Sequence, residues 1–434
     1  MTDDGAQPPA GAMNTLPLRD IRVLDFTHGL AGPFGTQMLA YFGAQVIKVE
    51  SAARPDRFRQ AGNGASPPAF NRGFAEFNRN KLDISVNMGT NEGRRIARNL
   101  IAISDLIAEN FSAGVLRRWG LTYDQLKDVH PEIIVVSLPG MGSRGPNRHW
   151  VTWGASLLAF SGVTWMWGYP DQEEPVGNQI AHPDYVGGIL GAIGAMAALD
   201  ERRRTGLGQA VELPQVAGAV SLLPTTFLEY FANARPPQRA GNSSPWYAPY
   251  GVYPCAGSSQ RSHPHPDPLP QGRGEEKPDR WCVIAVTSEA EWTAFCRAIG
   301  EPSWTKDGRF TSMAGRVAHR DHLDRHVTAW TRQFTPHEVM DRLQGAGVSA
   351  GAVQNGRDLF HDPHLRARNM VLQGQHAKLP ELAFPGIPVK LSETPGVITR
   401  PAPELGQDND HVFGELLGMA SEDVAGLRES GVLA

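Results

Sequence analysis

At 434 residues, the chain is long enough for two or three domains and a large hydrophobic core. An apolar content of 41%, a charged content of 20% and a net charge of −4 are typical of a soluble globular protein, and they indicate neither nucleic acid nor a membrane as a partner. The three cysteines form no CxxC pair, which argues against a disulfide framework or a metal site and fits a reduced, cytoplasmic setting.

The first 140 residues alternate between short β-rich runs and helical patterns. Residues 1–15 precede this region and are expected to be a disordered extension. Strands are predicted at 21–26, 44–50, 105–109 and 133–138, and helices at 36–43, 91–103, 115–119 and 122–129. This alternation predicts an α/β fold with a doubly wound parallel sheet.

The composition changes after residue 235, where proline and aromatic residues become frequent. A strand at 279–286 and helices at 289–299 and 336–346 follow, which predicts a small α+β domain at 225–335. Inside it, residues 258–277 (SSQRSHPHPDPLPQGRGEEK) have no apolar periodicity and are expected to be a disordered insertion. Without this insertion, the residues on either side would form a hairpin.

The stretch 182–209 combines one carboxylate with a run of small residues. Asp184 follows a proline at the start of a predicted helix, and small residues at helical spacing leave one flank of that helix nearly bare. These residues are Gly187, Gly188, Gly191, Gly194, Ala195 and Ala198. A bare flank allows close approach of another helix or of a substrate. Spacing alone favours Asp184 as a helix cap, but a carboxylate at a helix N-terminus is also a candidate nucleophile.

The loop 27–35 (THGLAGPFG) carries a glycine at every third position, although not in the GxGxxG spacing of dinucleotide-binding proteins. It precedes a predicted helix, whose free N–H groups favour a phosphate-bearing ligand. His28 lies in this loop. Arg117 and Arg118 lie on a later helix, where they form either a phosphate grip or a solvated face.

Several motifs resemble, in the same order, those of the family III CoA-transferases of the CaiB/BaiF type. The resemblance begins near residue 16 and is interrupted chiefly at 258–277. It is carried by VLDFTHGLAGPFGTQMLAYFGAQVIKVE, FNRNKLDISVNM, IAENFSAGVLRRWGL, HPDYVGGILGAIGAMAALDERRRTGLGQ, GVSAGAVQNGRDLFHDPHLRARNM and APELGQDNDHVF.

The resemblance implies a Rossmann-like large domain built from both chain ends. Its first part is 16–224, and 336–434 form a linker and a C-terminal part that returns to it, with the small domain at 225–335 between them. The resemblance also implies an interlaced homodimer, although some members of the family pair two different subunits.

The implied activity is transfer of CoA from an acyl-CoA to a small carboxylic acid, with no tightly bound cofactor. In this family, the aspartate that matches Asp184 attacks the thioester to give a mixed anhydride. The released CoA thiolate then forms an aspartyl-CoA thioester, which the acceptor acid attacks in turn.

The resemblance also assigns binding residues. The predicted CoA contacts are His28, Leu30, Ala31, Asn110, Phe111 and Arg118, and the predicted substrate pocket contains Gly187, Gly188, Trp153 and Trp167. Two positions depart from the family pattern, because Ser51 replaces an arginine and Pro139 replaces a lysine found in relatives.

Two other functions are considered. Acyl-CoA racemases share the fold but need a histidine where this chain has Trp153, so racemase or isomerase activity is disfavoured. A nonenzymatic CoA-binding protein is the alternative from another class. The aromatic run at 165–169 resembles the branch that acts on benzylsuccinate-type and other dicarboxylic acids.

Overall fold

The computed structural model describes residues 15–60, 72–176, 180–257, 280–376 and 379–433. The chain divides into two compact units. Unit 1 comprises 1–165, 177–237 and 364–434, and unit 2 comprises 166–176 and 238–363. The expected disordered segments, at the N-terminus and at 258–277, lie outside the described residues, apart from Thr15.

A six-stranded parallel sheet forms the centre of unit 1, in the order β3-β2-β1-β4-β5-β6. The strands are β1 (Arg22–Asp25), β2 (Gln45–Glu50), β3 (Lys81–Ser85), β4 (Leu106–Glu109), β5 (Ile134–Ser137) and β6 (Ala210–Glu212). This sheet confirms the predicted α/β fold class. Strand β3 was not predicted, because its inward positions include Lys81 and Asp83, which are fully buried charged residues in place of an apolar run.

Helices surround the sheet of unit 1. They are α1 (Ala31–Tyr41), α2 (Arg57–Gln60), α3 (Arg72–Phe77), α4 (Asn91–Ala102), α5 (Val115–Trp119), α6 (Tyr123–Leu126), α7 (Gly154–Phe160), α8 (Val163–Met166), α9 (His182–Thr205), α10 (Gln215–Val220) and α11 (Pro224–Asn233). Helix α8 ends at the boundary between the units. Helix α1 begins five residues earlier than predicted, so it includes most of the glycine-bearing loop. No helix in the described ranges is long and apolar enough to cross a membrane.

Helix α9 contains the stretch of small residues. Its bare flank packs against α1, and a Cβ atom added to Gly188 would lie only 2.6 Å from the carbonyl oxygen of Ala31. A Cβ on Gly35 of α1 would lie 2.7 Å from the carbonyl oxygen of Gly188. Gly191 and Gly194 face the sheet, against Leu138 and a valine of β6. The glycines therefore bring two backbones, and a helix and a sheet, into close contact.

Unit 2 is built on a three-stranded antiparallel sheet in the order β7-β8-β9. Its elements are β7 (Tyr250–Pro254), β8 (Trp281–Ala285), α12 (Glu289–Ala298), α13 (Met313–Ala318), α14 (Arg320–Thr331), α15 (Pro336–Gly345), β9 (Ser349–Ala352) and α16 (Gly356–His361). Strands β7 and β8 pair as an antiparallel hairpin, which confirms the pairing expected on either side of 258–277. Helices α13 and α14 were not predicted.

The C-terminal segment begins with α17 (Pro363–Ala367), which starts at the boundary between the units. In unit 1 it continues with β10 (Val371–His376), β11 (Leu379–Pro385), a π-helix (His411–Leu416) and α18 (Ser421–Glu429). Val412, Phe413 and Val424 are buried in the same core cluster as Leu24 and Ile47 of the central sheet. This part of the chain therefore completes one face of the large sheet.

We predict that Gly188→Ala lowers the free energy of unfolding by about 1–3 kcal/mol, the usual cost of forcing a methyl group into a packed site. The added Cβ meets backbone atoms of α1, which cannot move aside as a flexible side chain does. Chemical denaturation measures the change. Gly345→Ala is the matched control, because a Cβ there meets nothing within 4 Å. An unchanged stability in Gly188→Ala would show that α1 and α9 are not held at this distance.

Candidate functional site

A cavity of about 1200 Å³ lies in unit 1 at the carboxyl ends of the parallel strands. Residues that follow β1, β2, β3, β4 and β5 all contribute to its wall, including His28, Ser51, Asn87, Asn110 and Pro139. The strand order reverses direction between β1 and β4. In open α/β sheets, this topological switch point is where the loops diverge and leave a crevice for a ligand.

Asp184 lies in the wall of this cavity, in the first turn of α9. The helix begins at His182 and its N-cap residue is Ala181, which has no side-chain cap. Asp184 is therefore the third residue of the helix and lies within its first turn, so the N-cap position favoured by its spacing is wrong. The backbone N–H groups of Asp184 and of Ala31, at the start of α1, lie close enough to the carboxylate to favour its ionised form, and the N–H of Asp184 also donates to the carbonyl of Ala181 at 3.0 Å.

The surroundings of Asp184 shift its acidity. Burial raises the pKa of Asp184 to about 6, and the two backbone N–H donors oppose this shift. Oxygen Oδ2 is buried and has no hydrogen-bond partner among the described residues. A Cβ on Gly154, the first residue of α7, would lie 2.6 Å from this oxygen. The carboxylate is thus poorly solvated, and this increases its reactivity when it is ionised.

The loop after β1 is fixed by Asn110, which follows β4. The side-chain oxygen of Asn110 accepts the N–H of His28 at 2.8 Å, and its amide donates to the carbonyl of His28 at 2.7 Å. The ring of Phe111 packs edge-on against the ring of His28, with 5.6 Å between centroids. Burial, followed by the charge of Lys48, lowers the pKa of His28, which therefore presents a neutral ring.

A buried ion pair between Lys48 and Asp56 also fixes the backbone of the loop after β1. Lys48 lies 3.0 Å from Asp56 and donates a hydrogen bond to the carbonyl of Thr27 at 2.6 Å. Asp56 in turn accepts the N–H of Gly29. Gly29 has a φ of +75°, a conformation that favours glycine. The loop is therefore held on both sides of His28.

The other predicted CoA contacts lie in different places. Leu30, Phe111 and Arg118 line the cavity, and Arg118 is exposed there. Ala31 is fully buried and its N–H is directed at Asp184. The structure thus gives Ala31 a contact with the carboxylate, and a contact of Ala31 with CoA stays a prediction.

Of the residues predicted to form the substrate pocket, only some line the cavity. Trp153 lines the cavity and is 56% exposed. Gly187 and Gly188 do not line it, because the space beside them is occupied by Gln215 and by α1. The two glycines therefore give clearance for helix packing, and their place in the substrate pocket stays a prediction. Trp167 belongs to unit 2, so its contact with substrate stays a prediction.

The cavity residues that the sequence did not predict include Arg54, Arg57, Arg148 and Gln215. The three arginines are exposed. Arg54 lies three residues after Ser51, and Arg148 lies in the loop that follows Pro139, so both arginines lie close in sequence to the positions that depart from the family pattern. The signal that could have identified Arg54 and Arg57 is their position shortly after Glu50, the last residue of β2.

Comparison with known proteins gives a consistent result. The model of CoA-transferase family III matches residues 18–259 and 276–409, and thus leaves unmatched 260–275, inside the proposed insertion. The succinyl-CoA–D-citramalate CoA-transferase of Chloroflexus aurantiacus is 31% identical over 96% of this chain and 98% of its own length. The β subunit of the succinyl-CoA–L-malate CoA-transferase of the same organism is 30% identical over 98% of this chain and 100% of its own.

A solved structure shows the same fold. The CaiB/BaiF family protein from Brucella suis superposes with a TM-score of 0.78 at 28% identity, covering 92% of this chain and 99% of that protein. The sequence match, the fold and the cavity at the switch point therefore agree. The chain belongs to CoA-transferase family III, and it is an enzyme that transfers CoA between an acyl-CoA and a carboxylic acid.

Proposed function

We propose that Asp184 is the nucleophile of this transfer and that the reaction passes through two kinds of covalent enzyme intermediate, a mixed anhydride and an aspartyl-CoA thioester. The observation that supports this most directly is the buried Oδ2 atom of Asp184 in the cavity wall, for which the described part of the chain provides no hydrogen-bond partner. Carboxylates act as nucleophiles when they are ionised and poorly solvated.

In the proposed steps, the Asp184 carboxylate first takes CoA from the donor acyl group and then passes it to the acceptor acid. Oxygen of Asp184 attacks the thioester carbon, the C–S bond breaks, and a mixed anhydride and CoA thiolate result. The thiolate attacks the aspartyl carbon, which releases the donor acid and leaves an aspartyl-CoA thioester. The acceptor carboxylate then attacks this thioester, which releases CoA thiolate and forms a second mixed anhydride. The thiolate attacks the acyl carbon of the acceptor in this anhydride, which gives the new acyl-CoA and frees the Asp184 carboxylate. The energy of the thioester is conserved as long as water is excluded.

The N–H of Ala31 has a defined part in these steps. It lies beside the Asp184 carboxylate in the resting enzyme, at the positive end of α1. When the thiolate attacks the aspartyl carbon, negative charge develops on a carboxyl oxygen, and a fixed N–H beside it stabilises that charge. The same contact keeps part of the Asp184 population ionised before the reaction.

CoA binds along the remaining wall of the cavity. His28 and Phe111 provide an aromatic surface for the pantetheine arm or the adenine ring. Arg54, Arg118 and Arg148 supply guanidinium groups for the phosphates, for which arginine forms bidentate hydrogen bonds. We infer that Arg54 and Arg148 replace the cations that relatives place at the positions of Ser51 and Pro139. No resident cofactor enters the reaction.

We further propose that the enzyme is a homodimer. Helix α9 exposes Ile189, Ile193 and Met196 on the face opposite its bare flank. Helix α11 has no buried residue and exposes Phe227 and Phe231. Large apolar side chains exposed in such numbers mark an association site. A related subunit instead of a second copy is the alternative partner.

We predict that Asp184→Asn reduces CoA transfer by about 10³-fold or more, since the nucleophile is removed. The same variant is more stable at pH 8 by up to ~3 kcal/mol, because the shift of the pKa from 3.8 to about 6 is the cost of burying this charge. Mass spectrometry of acyl-CoA products and denaturation measure the two effects.

The sign of the stability effect follows from the raised pKa. At pH 8 the folded wild type carries the unfavourable charge, and below about pH 4 the group is protonated in both states, so the advantage of the variant disappears. Asp200→Asn, an exposed position on the same helix, is the control and keeps its activity. Transfer at the wild-type rate by Asp184→Asn would contradict the proposed mechanism.

We predict that kcat/KM of the wild type falls about tenfold per pH unit below pH 6, because the nucleophile becomes protonated. Initial rates between pH 5 and 8 measure this. The 3′-phosphate of CoA also titrates near pH 6, so the profile is repeated with a 3′-dephospho thioester. A flat profile with the dephospho substrate would show that Asp184 does not titrate as the attacking group.

We predict that Asn110→Ala weakens CoA binding about tenfold with a smaller change in kcat, because the His28 loop loses two backbone hydrogen bonds. Calorimetric titration with CoA measures the affinity. Asn233→Ala, at an exposed position, is the matched control. If CoA affinity is unchanged in Asn110→Ala, the His28 loop is not part of the CoA site.

A further inference from the structure

Arg57 and Trp153 form a pair on the cavity wall that the proposed steps do not use. The guanidinium carbon of Arg57 lies 4.2 Å from the centroid of the Trp153 ring, and both residues line the cavity. Two residues later on the same short helix, Arg59 is buried and bonded to Glu50 and Asp83. Helix α2 therefore uses one arginine for structure and presents the other to the cavity.

The charge of Arg57 is available for a ligand. Across the described residues, no carboxylate lies within 4.0 Å of its guanidinium group. Stacking on an indole restricts the plane of the guanidinium group but leaves its N–H edges free to donate. A planar cation held in this way matches the two oxygens of a carboxylate.

The pair lies next to the nucleophile. Trp153 directly precedes Gly154. A Cβ atom added to Gly154 would lie 2.6 Å from Oδ2 of Asp184. Consecutive Cα atoms are only about 3.8 Å apart. A short acyl chain joined to Asp184 thus begins beside the residue that adjoins Trp153, in the cavity whose wall also contains Arg57.

We propose that Arg57, held by Trp153, binds the second carboxylate of a dicarboxylic acyl group and so determines the specificity of the enzyme for diacids. This inference rests on the proposed role of Asp184. The names of the two relatives above point to the same chemistry, since succinate, citramalate and malate each carry two carboxylates. A diacid presents one carboxyl group for transfer and leaves the other as an anion, whose two oxygens match the planar guanidinium group of Arg57.

The test compares diacids with monoacids of the same shape in the full-length enzyme. The acceptor and thioester pairs are succinate with butyrate, glutarate with pentanoate, and phenylsuccinate with 3-phenylbutanoate. In each pair, a methyl group replaces the second carboxylate. We expect Arg57→Met to lower kcat/KM for the diacid by about 10- to 100-fold, mainly through KM, while kcat/KM for the monoacid changes little.

Two further variants sharpen the result. Arg57→Lys keeps the charge but loses the planar fork, so it recovers part of the preference for the diacid. Arg203→Met removes an exposed arginine from the last turn of α9 and is the matched control, with kinetics equal to the wild type.

Several outcomes would overturn the inference. An equal loss for diacid and monoacid, with weaker binding of free CoA, would assign Arg57 to the CoA phosphates. An unchanged ratio of diacid to monoacid in Arg57→Met, or a wild type that transfers CoA only among monoacids, would remove the proposed subsite. In contrast, normal CoA transfer by the Asp184→Asn variant would contradict the proposed nucleophile and leave the comparison of acids intact.

Discussion

The close contact of α1 with α9 is the constraint on which the site depends. Gly35 and Gly188 let the two backbones approach to a distance that no other residue type permits. This approach places the first N–H of α1, that of Ala31, beside the carboxylate in the first turn of α9. A side chain at either glycine would separate the helices and move the N–H donor away from Asp184. The glycines thus act on the chemistry through the distance between two helices.

The loop that carries His28 is held by buried charges, and these have a different energetic character from the helix contact. Burial alone would raise the pKa of Asp25, but Lys81 and Lys48 hold it at about 2, while burial lowers the pKa of Lys81 to about 8. Buried pairs of this kind return little net stability, because desolvation offsets much of the attraction. What they give is position, since Lys48 and Asp56 fix the backbone before and after His28.

The parts of the fold that the sequence predicted well are those with a simple apolar period. Strands β1, β2, β4 and β5 are short apolar runs, whereas β3 was missed because Lys81 and Asp83 point into a charged interior. Asp184 was identified from a motif, and its position in the cavity was then given by the structure. The role of Gly188 and the pairing of Arg57 with Trp153 depend on contacts between segments far apart in sequence, which spacing along one chain does not reveal.

The resting state of Asp184 reflects a compromise between reactivity and ionisation. A carboxylate that is fully solvated is a weak nucleophile, and one that is fully desolvated is protonated at neutral pH. The two backbone N–H donors restrain the pKa at about 6, so the group is ionised under neutral conditions although Oδ2 is buried. The N–H of Ala31 belongs to the first turn of α1, where N–H groups have no partner within the helix, whereas the N–H of Asp184 also donates to the carbonyl of Ala181 at 3.0 Å. The meeting of two helix N-termini therefore supplies what a side-chain cation would otherwise supply, without a charge that would bind the carboxylate permanently.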